Sequence, residues 1–409
     1  MRGNRALTRG IGILAGGVVA ASGCSATAGG DATTTTGPTA SPTSATISPA
    51  TSSATSSSTS TTPDLSARVT IGGSGDLLTH VAVRRSAEAY AGRPGRYDFR
   101  PMFAKVKGLI SAPDISLCHL ETPLTRRNTN LTKPGVLIFN TPHELADAVK
   151  SAGYDGCDFA SNHTWDQGLS GLADTIGVFD KVGLGYAGPG ASKANAETTA
   201  TYEVGDVSVA HLGFTYTILN NWGPNTEVPP EAPWLANALW PKVRAKGIIA
   251  EAKKAKASGA DFVVVSLHWG QEYVSDPTAE QLALAKDLLA SNAIDLLLGT
   301  HVHRVQPCEK INGKYVFYGM GNFLSNQSPD ADPSLLPQTQ EGVIVQVTLD
   351  RDAKGKVTSS AAIQPTKVNR KGHVIELATK TGNPTTYHRV TDMLTSLGDC
   401  RLTTLKPAR

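Results

Sequence analysis

Aromatic residues make up 6% of the 409 residues, and none of them precedes Tyr90. A packed core is therefore expected to start late, because aromatic side chains supply much of a core's buried area. Cysteine is scarce, at 5, and no two cysteines lie a few residues apart, which excludes a zinc knuckle. An excess of one charge is missing too: 38 Lys and Arg stand against 35 Asp and Glu, a net charge of +3. That balance excludes the clustered basic surplus of a nucleic-acid binder, so no nucleic-acid partner is expected. No apolar run reaches the roughly 20 residues of a membrane-spanning helix. No G-x-x-x-x-G-K-S/T phosphate loop occurs, which argues against an ATP-driven ligase.

What is present begins with an address. Arg2, Arg5 and Arg9 precede an apolar stretch over residues 11–21, and Ala21-Ser22-Gly23 then lead into Cys24. This reads as a signal peptide over residues 1–23 with a lipobox ending, Cys24 taking the lipid and becoming the mature amino terminus. Plain secretion with an incidental cysteine is the alternative. Residues 24–66 are mainly Ser, Thr, Pro, Ala and Gly, with Asp31 and Asp64 the only charges. Such a segment buries too little apolar surface to offset chain entropy, so a disordered stalk is expected. Lipid and stalk together place the remainder at the extracytoplasmic face of the cell membrane.

From residue 67 onward, apolar runs of strand length alternate with stretches of helical spacing. Strands are predicted over residues 68–72, 115–119, 136–139, 157–160, 262–267, 294–298, 315–318 and 343–349. Helices are predicted over residues 101–111, 142–151, 169–182 and 278–291, with another ending near residue 258, and a hairpin turning at Gly205-Asp206. The runs at 262 and 294 are apolar throughout, as in strands covered on both faces. The class is α/β, with two layers of sheet and helices outside, over a domain spanning residues 67–376. Past about residue 350 the pattern weakens to a short strand pair, and residues 377–409 read as a C-terminal extension. Residues 220–241, with Trp222, Trp234 and Trp240 among prolines, either pack as a loop or line a groove. Cys118, Cys157, Cys308 and Cys400 form one or two disulfides among three pairings, or remain buried thiols.

Polar residues gather where the strands end. Ligands of such sheets collect beyond the carboxyl ends of strands. Gly75-Asp76, His119-Leu120-Glu121, Ser161-Asn162-His163, His268-Trp269-Gly270 and His301-Val302-His303 stand there, with five of the 10 histidines. Each has an ordinary use: Asp76 in a turn, Asn162 and His163 capping a helix, His268 packed beside Trp269. Taken together, two carboxylates, an amide and several imidazoles on one rim make an N/O donor set suited to Zn, Mn or Fe. His301 and His303 are two apart and would point the same way from an extended stretch.

The order Gly-Asp, Leu-Glu, Asn-His with Asp166 following, His-Trp-Gly, Gly299-Thr300-His301-Val302-His303 and Gly321-Asn322-Phe323 resembles the CapA family of poly-γ-glutamate capsule proteins. That family lies within the calcineurin-like metallophosphoesterase superfamily, and the resemblance covers roughly residues 69–365. It implies a metallophosphatase-like sandwich of two β-sheets flanked by helices, and a divalent transition-metal cofactor, two ions of Mn, Fe or Zn. Asp76 and His303 would ligate one ion, Glu121 would bridge, and Asn162, His268 and His301 would hold the other. His163 would stand beside them as a proton donor or phosphate contact, oriented by Asp166. Asn322 would support a ligand imidazole, and Glu272 and Gln306 would line the pocket.

Two positions depart from the pattern. Family members usually carry Asn where His119 stands. Sharing a strand face with Glu121, His119 is open as an extra ligand, an acid/base group, a substrate contact or a neutral replacement. Phosphoesterases commonly show Asp-x-His in the first motif, whereas Leu78 fills the third position here and His80 is too far along without a bulge. The expected function is a membrane-anchored metal-dependent hydrolase in capsule or exopolymer biosynthesis. Its substrate would be an anionic polymer or a phosphate ester, and its partner a membrane-bound capsule synthase complex. The alternative is a non-catalytic, polymer-handling lipoprotein whose metal rim clamps carboxylates.

Overall fold

Side chains alternate across each strand, and here that alternation sorts the apolar residues into three layers. The computed structural model of the chain describes residues 67–220, 226–398 and 400–405, so the expected signal peptide, lipid site at Cys24 and stalk, together with Trp222, lie outside the described residues. One sheet runs Val374–Leu377, Val357–Asn369, Glu341–Arg351, Ala67–Leu77, Ile115–Leu120, Gly156–Asp158, Gly185–Ala187. Asn322–Leu324 pairs beside Ala67–Leu77, and Leu402–Thr404 beside Val357–Asn369. The other sheet runs Cys308–Ile311, Lys314–Phe317, Leu296–Thr300, Phe262–His268, Val207–Thr215, Ala200–Val204.

Val69, Ile71, Leu117 and Val345 of the first sheet meet Phe262, Val264, Leu296 and Leu298 of the second in one buried layer. The intervening residues Val263, Val265 and Leu297 face the other way, against helices Trp240–Ala257 and Ala279–Ala290. Thr278 caps the latter in a reciprocal box with Gln281. Helices Val81–Ala91, Glu144–Ala152 and Gly168–Val182 cover the outer face of the first sheet. The αββα sandwich expected from the sequence is the architecture found.

Three expectations need correction. Residues 136–139 form no strand: Val136, Leu137 and Ile138 are 40%, 61% and 54% exposed, in a loop that follows the left-handed Gly135. A short apolar run does not by itself separate a strand from a loop. Residues 101–111 keep helical spacing but break into Arg100–Phe103 and Lys107–Ile110, with a turn over residues 104–106 between them. Beyond residue 350 the chain builds Val357–Asn369, paired with Glu341–Arg351 along that strand's whole length. Its early inward positions carry Ser359 and Ala361, too small or polar to print a hydropathy pattern. Helix Pro384–Leu394 closes the same core through Val390 and Leu394.

The cysteines pair as Cys118–Cys157 and Cys308–Cys400, with Cα atoms 4.4 and 5.7 Å apart, so the thiol alternative does not hold. The first bond links register partners on neighbouring parallel strands, immediately before His119 and Asp158. Ala67–Leu77, Ile115–Leu120 and Gly156–Asp158 run parallel, as do Val207–Thr215, Phe262–His268 and Leu296–Thr300. Their carboxyl ends carry the motif residues.

Candidate metal centre

Asp76, near the end of its strand, is fully buried, and its amide donates to Gly321 O at 2.9 Å. That approach requires glycine just before it: a Cβ on Gly75 would lie 1.8 Å from Gly321 O. Across the ladder Asp76 pairs in register with His119, whose Nε2 lies 4.0 Å from Asp76 Oδ1. His119 Nδ1 pairs with Asp158 Oδ1 at 2.8 Å, and its ring stacks on His268 at 4.7 Å. Glu121 is held just past the same strand by its amide bond to Leu77 O, 3.2 Å.

From the second sheet, His268 Nε2 meets Asn162 Oδ1 at 3.0 Å and its Nδ1 meets Thr300 Oγ1 at 3.1 Å. His303 Nε2 lies 3.6 Å from Glu121 Oε1, and its Nδ1 lies 3.3 Å from Asp76 Oδ2 and 3.1 Å from Asn322 Oδ1. His301 and His303 do not sit in an extended stretch. Both have positive φ, 92° and 56°, in a bend beyond the strand end, with rings 6.2 Å apart. Left-handed backbone at two histidines is the kind of strain that surrounding structure must hold, and it turns their rings into the site.

Two donor groups result among the described residues, Asp76–Glu121–His303 and Asp76–His119–His268, each with ligand atoms within 4.8 Å of one another. The fit to a cation can be tested on the polar atoms left over. Asp76 Oδ2, both Glu121 oxygens, His119 Nε2 and His301 Nδ1 are buried without a hydrogen bond, with His303 standing near two of them, 3.3 Å from Asp76 Oδ2 and 3.6 Å from Glu121 Oε1. An orphaned buried polar atom costs about 1–3 kcal/mol, so five in one cluster indicate a group that satisfies them together. Proton affinities agree. Burial pushes Glu121 up to about 7. Burial pulls against protonation of His303, yet Glu121, Asp76 and Glu272 raise it to about 10. His119 likewise rises to about 9 against its burial, through Asp158, Asp76 and Glu121. Burial and neighbouring imidazoles hold His268 and His301 well below their ordinary value. The carboxylates thus draw positive charge inward, and the donor set is compatible with a divalent metal.

His163 stands at the mouth. Its Nδ1 pairs with Asp166 Oδ2 at 2.8 Å, and that oxygen also accepts the Phe139 amide at 2.6 Å. The folded-back turn needed to bring these two residues together is present, because Asp166 N also donates to His163 O at 3.2 Å. The Phe139 ring packs edge-on against the imidazole, 4.6 Å away. Outside opens a pocket of about 1,010 Å³ whose lining includes His163, His301, His303, Tyr216, Tyr273 and Glu272. Glu272 Oε1 comes within 3.9 Å of His303 Nε2. Gln306 does not line it: it is buried, accepts from Gln281 and braces the carbonyls of Val274 and Asp276. Asn322 anchors itself to Gln327 and Thr339 while meeting His303. Trp240 lines the pocket, whereas Trp234 bonds Gly190 O.

Sequence reasoning missed Asp158, Tyr216 and Tyr273. Asp158 fell inside the strand predicted over residues 157–160, which in fact ends at Asp158. The strand-end rule would have found it. The tyrosines reach the site from loops and offer no motif. His80 lines the pocket, edge-on to Phe139, but joins neither donor group.

The fold and site define an α/β sandwich with a buried, metal-compatible carboxylate–imidazole cluster at its strand ends. The model of the family described as bacterial capsule synthesis protein PGA_cap matches residues 70–327, and the chain belongs to that family. PGA biosynthesis protein CapA of Bacillus subtilis is 30% identical over 256 residues, 62% of this chain and 63% of that protein. Capsule biosynthesis protein CapA of Bacillus anthracis is 35% identical over 184 residues, 45% and 43% respectively. A probable polyglutamine synthesis accessory protein of Mycobacterium tuberculosis is 26% identical over 249 residues, 59% and 64%. The chain spans less than two thirds of the length of each of these relatives. Among solved structures, a calcineurin-like phosphoesterase from Bacillus subtilis aligns at 16% identity with a TM-score of 0.38, over 80% of this chain and 98% of that one. A phosphatase from Mycoplasma pneumoniae aligns at 15% with 0.42, over 73% and 93%.

Proposed function

We propose that the chain is a metal-dependent hydrolase of capsule polymer synthesis, held by a lipid on Cys24 at the extracytoplasmic face and working beside a membrane-bound synthase. The observation that carries this reading is the His163–Asp166 pair at the mouth of a buried metal-compatible cluster, opening on a pocket large enough for a polymer segment. Asp76, Glu121, His303, Asn162, His268 and His301 would hold two ions of Mn, Fe or Zn. Such ions, when bound, supply Lewis acidity toward a phosphoryl or carbonyl oxygen and lower the pKa of water.

The chain's own residues do the rest. Asp166 fixes the proton on His163 Nδ1, so Nε2 faces the pocket and exchanges a proton with a leaving group. Phe139 closes one side of that imidazole against water. No Lys or Arg stands among the described residues lining the pocket. Anionic groups of a substrate, phosphate or γ-glutamyl carboxylate, would meet the metal cluster and His163. The test is His163→Ala in the full chain, assayed on phosphate esters and γ-glutamyl polymers. Turnover should fall by about 10²–10⁴ with metal content unchanged. Leu78, in place of a histidine, favours the second reading, a carboxylate clamp without turnover. Polymer binding that needs metal but ignores His163→Ala would establish the clamp instead.

A further inference from the structure

We infer that His119 is a metal ligand through Nε2, and that Asp158 is the residue that positions it, so that this pair supplies the imidazole that Leu78 leaves out of the first motif. The inference rests on the metal-dependent reading above and deepens it.

Three observations carry it. Asp76 and His119 lie opposite one another in the register of neighbouring parallel strands, so an imidazole at 119 reaches the carboxylate that Leu78, just past the end of Asp76's own strand, does not serve. Asp158 Oδ1 occupies His119 Nδ1 at 2.8 Å, which fixes a ring proton there and leaves Nε2 as the nitrogen a cation can take once its own proton is displaced. That is the outer partner a ligand imidazole ordinarily has on its other nitrogen. Finally, Nε2 itself is buried without a hydrogen-bond partner, 4.0 Å from Asp76 Oδ1, and belongs with Asp76 and His268 to one group of donor atoms. An orphaned nitrogen alone does not mark a ligand, since His211 Nδ1 in the core is also without a partner; what sets His119 apart is the Asp76 carboxylate facing its free nitrogen and the carboxylate on its other one.

The same geometry argues against one other role open to His119, that of a substrate contact. It is 1% exposed beneath His268, so it meets no substrate directly. Asp158 touches no reacting group and acts through His119 alone. Its partner strand position is fixed one residue earlier by the Cys118–Cys157 bond.

The experiment loads the full chain with Co²⁺, counts ions per chain, measures affinity by chelator competition and records the visible spectrum. It compares the protein with H119N, H119A, D158N and D158E, all checked for folding by melting without metal. H119A and H119N should lose one ion or bind it about 100-fold more weakly. D158N should weaken the same ion about 10–100-fold and shift the Co²⁺ spectrum, with D158E recovering part of both. A merely structural carboxylate would leave the spectrum unmoved. Folded H119N and D158N with unchanged count, affinity and spectrum would overturn the inference, while H303A still losing metal would leave the metal reading standing. A wild-type chain that takes up no Co²⁺, Mn²⁺ or Zn²⁺ would overturn both.

Discussion

Removing the two disulfides one at a time should separate stability from metal binding. The Cys118–Cys157 bond closes 39 residues and the Cys308–Cys400 bond 92. On the chain-entropy account the losses are about 4 and about 4.6 kcal/mol, nearly equal because loop length enters only as a logarithm. Alanine replacements add no buried hydroxyl, so C118A/C157A and C308A/C400A isolate this term. For a folded domain of about 340 residues, unfolding entropy near 2.1 cal/mol/K per residue converts these losses to melting shifts of about 5–7 °C each. Function should not follow stability. Cys118 and Cys157 directly precede His119 and Asp158, whereas Cys308 belongs to the edge strand of the other sheet. Metal affinity should fall about tenfold or more in C118A/C157A and stay within twofold in C308A/C400A. Thermal melts and chelator competition on both variants decide it. Equal weakening of metal binding in both variants would refute the reasoning, and so would wild-type affinity in C118A/C157A despite a lowered melting point.

Other consequences follow from the same geometry. His303 and His119 hold protons up to about 10 and about 9, so metal uptake at pH 7–8 must displace them. Apparent affinity should therefore rise by about one to two decades per pH unit from pH 7, flattening past 9 and again past 10, with proton release visible as buffer-dependent binding heat; a pH-independent affinity would contradict it. Metal at a hundredfold excess over its dissociation constant should stabilise the fold by about 2.7 kcal/mol, and a chelator should remove that gain. Gly75→Ala sets a Cβ 1.8 Å from Gly321 O, so it should destabilise by about 1–3 kcal/mol and weaken metal binding by moving Asp76. Ile138→Ser, at a 54% exposed side chain, should change stability by less than about 0.5 kcal/mol in denaturant titration.

How much of this was legible along the chain depends on whether the information was local. The donor residues at strand ends could be read because each motif carries its own turn chemistry and position within a parallel α/β pattern. The outer strand Val357–Asn369 could not, since its pairing with Glu341–Arg351 replaces hydropathy as the reason it is a strand. The loop at residues 136–138 failed in the opposite direction: apolar side chains stand exposed there beside the pocket mouth. The deepest gap is at Leu78. Read within its own motif, this position is a lost ligand, and it favours a protein that grips polymer without cutting it. The ladder register sets His119 directly across from Asp76, and the next strand sets Asp158 behind His119. Residues 76, 119 and 158 belong to three separate strands, and only their pairing turns a deletion in one motif into a substitution by two others. The balance between clamp and hydrolase therefore rests on what His119 Nε2 holds, and no motif read from one strand at a time contains that fact.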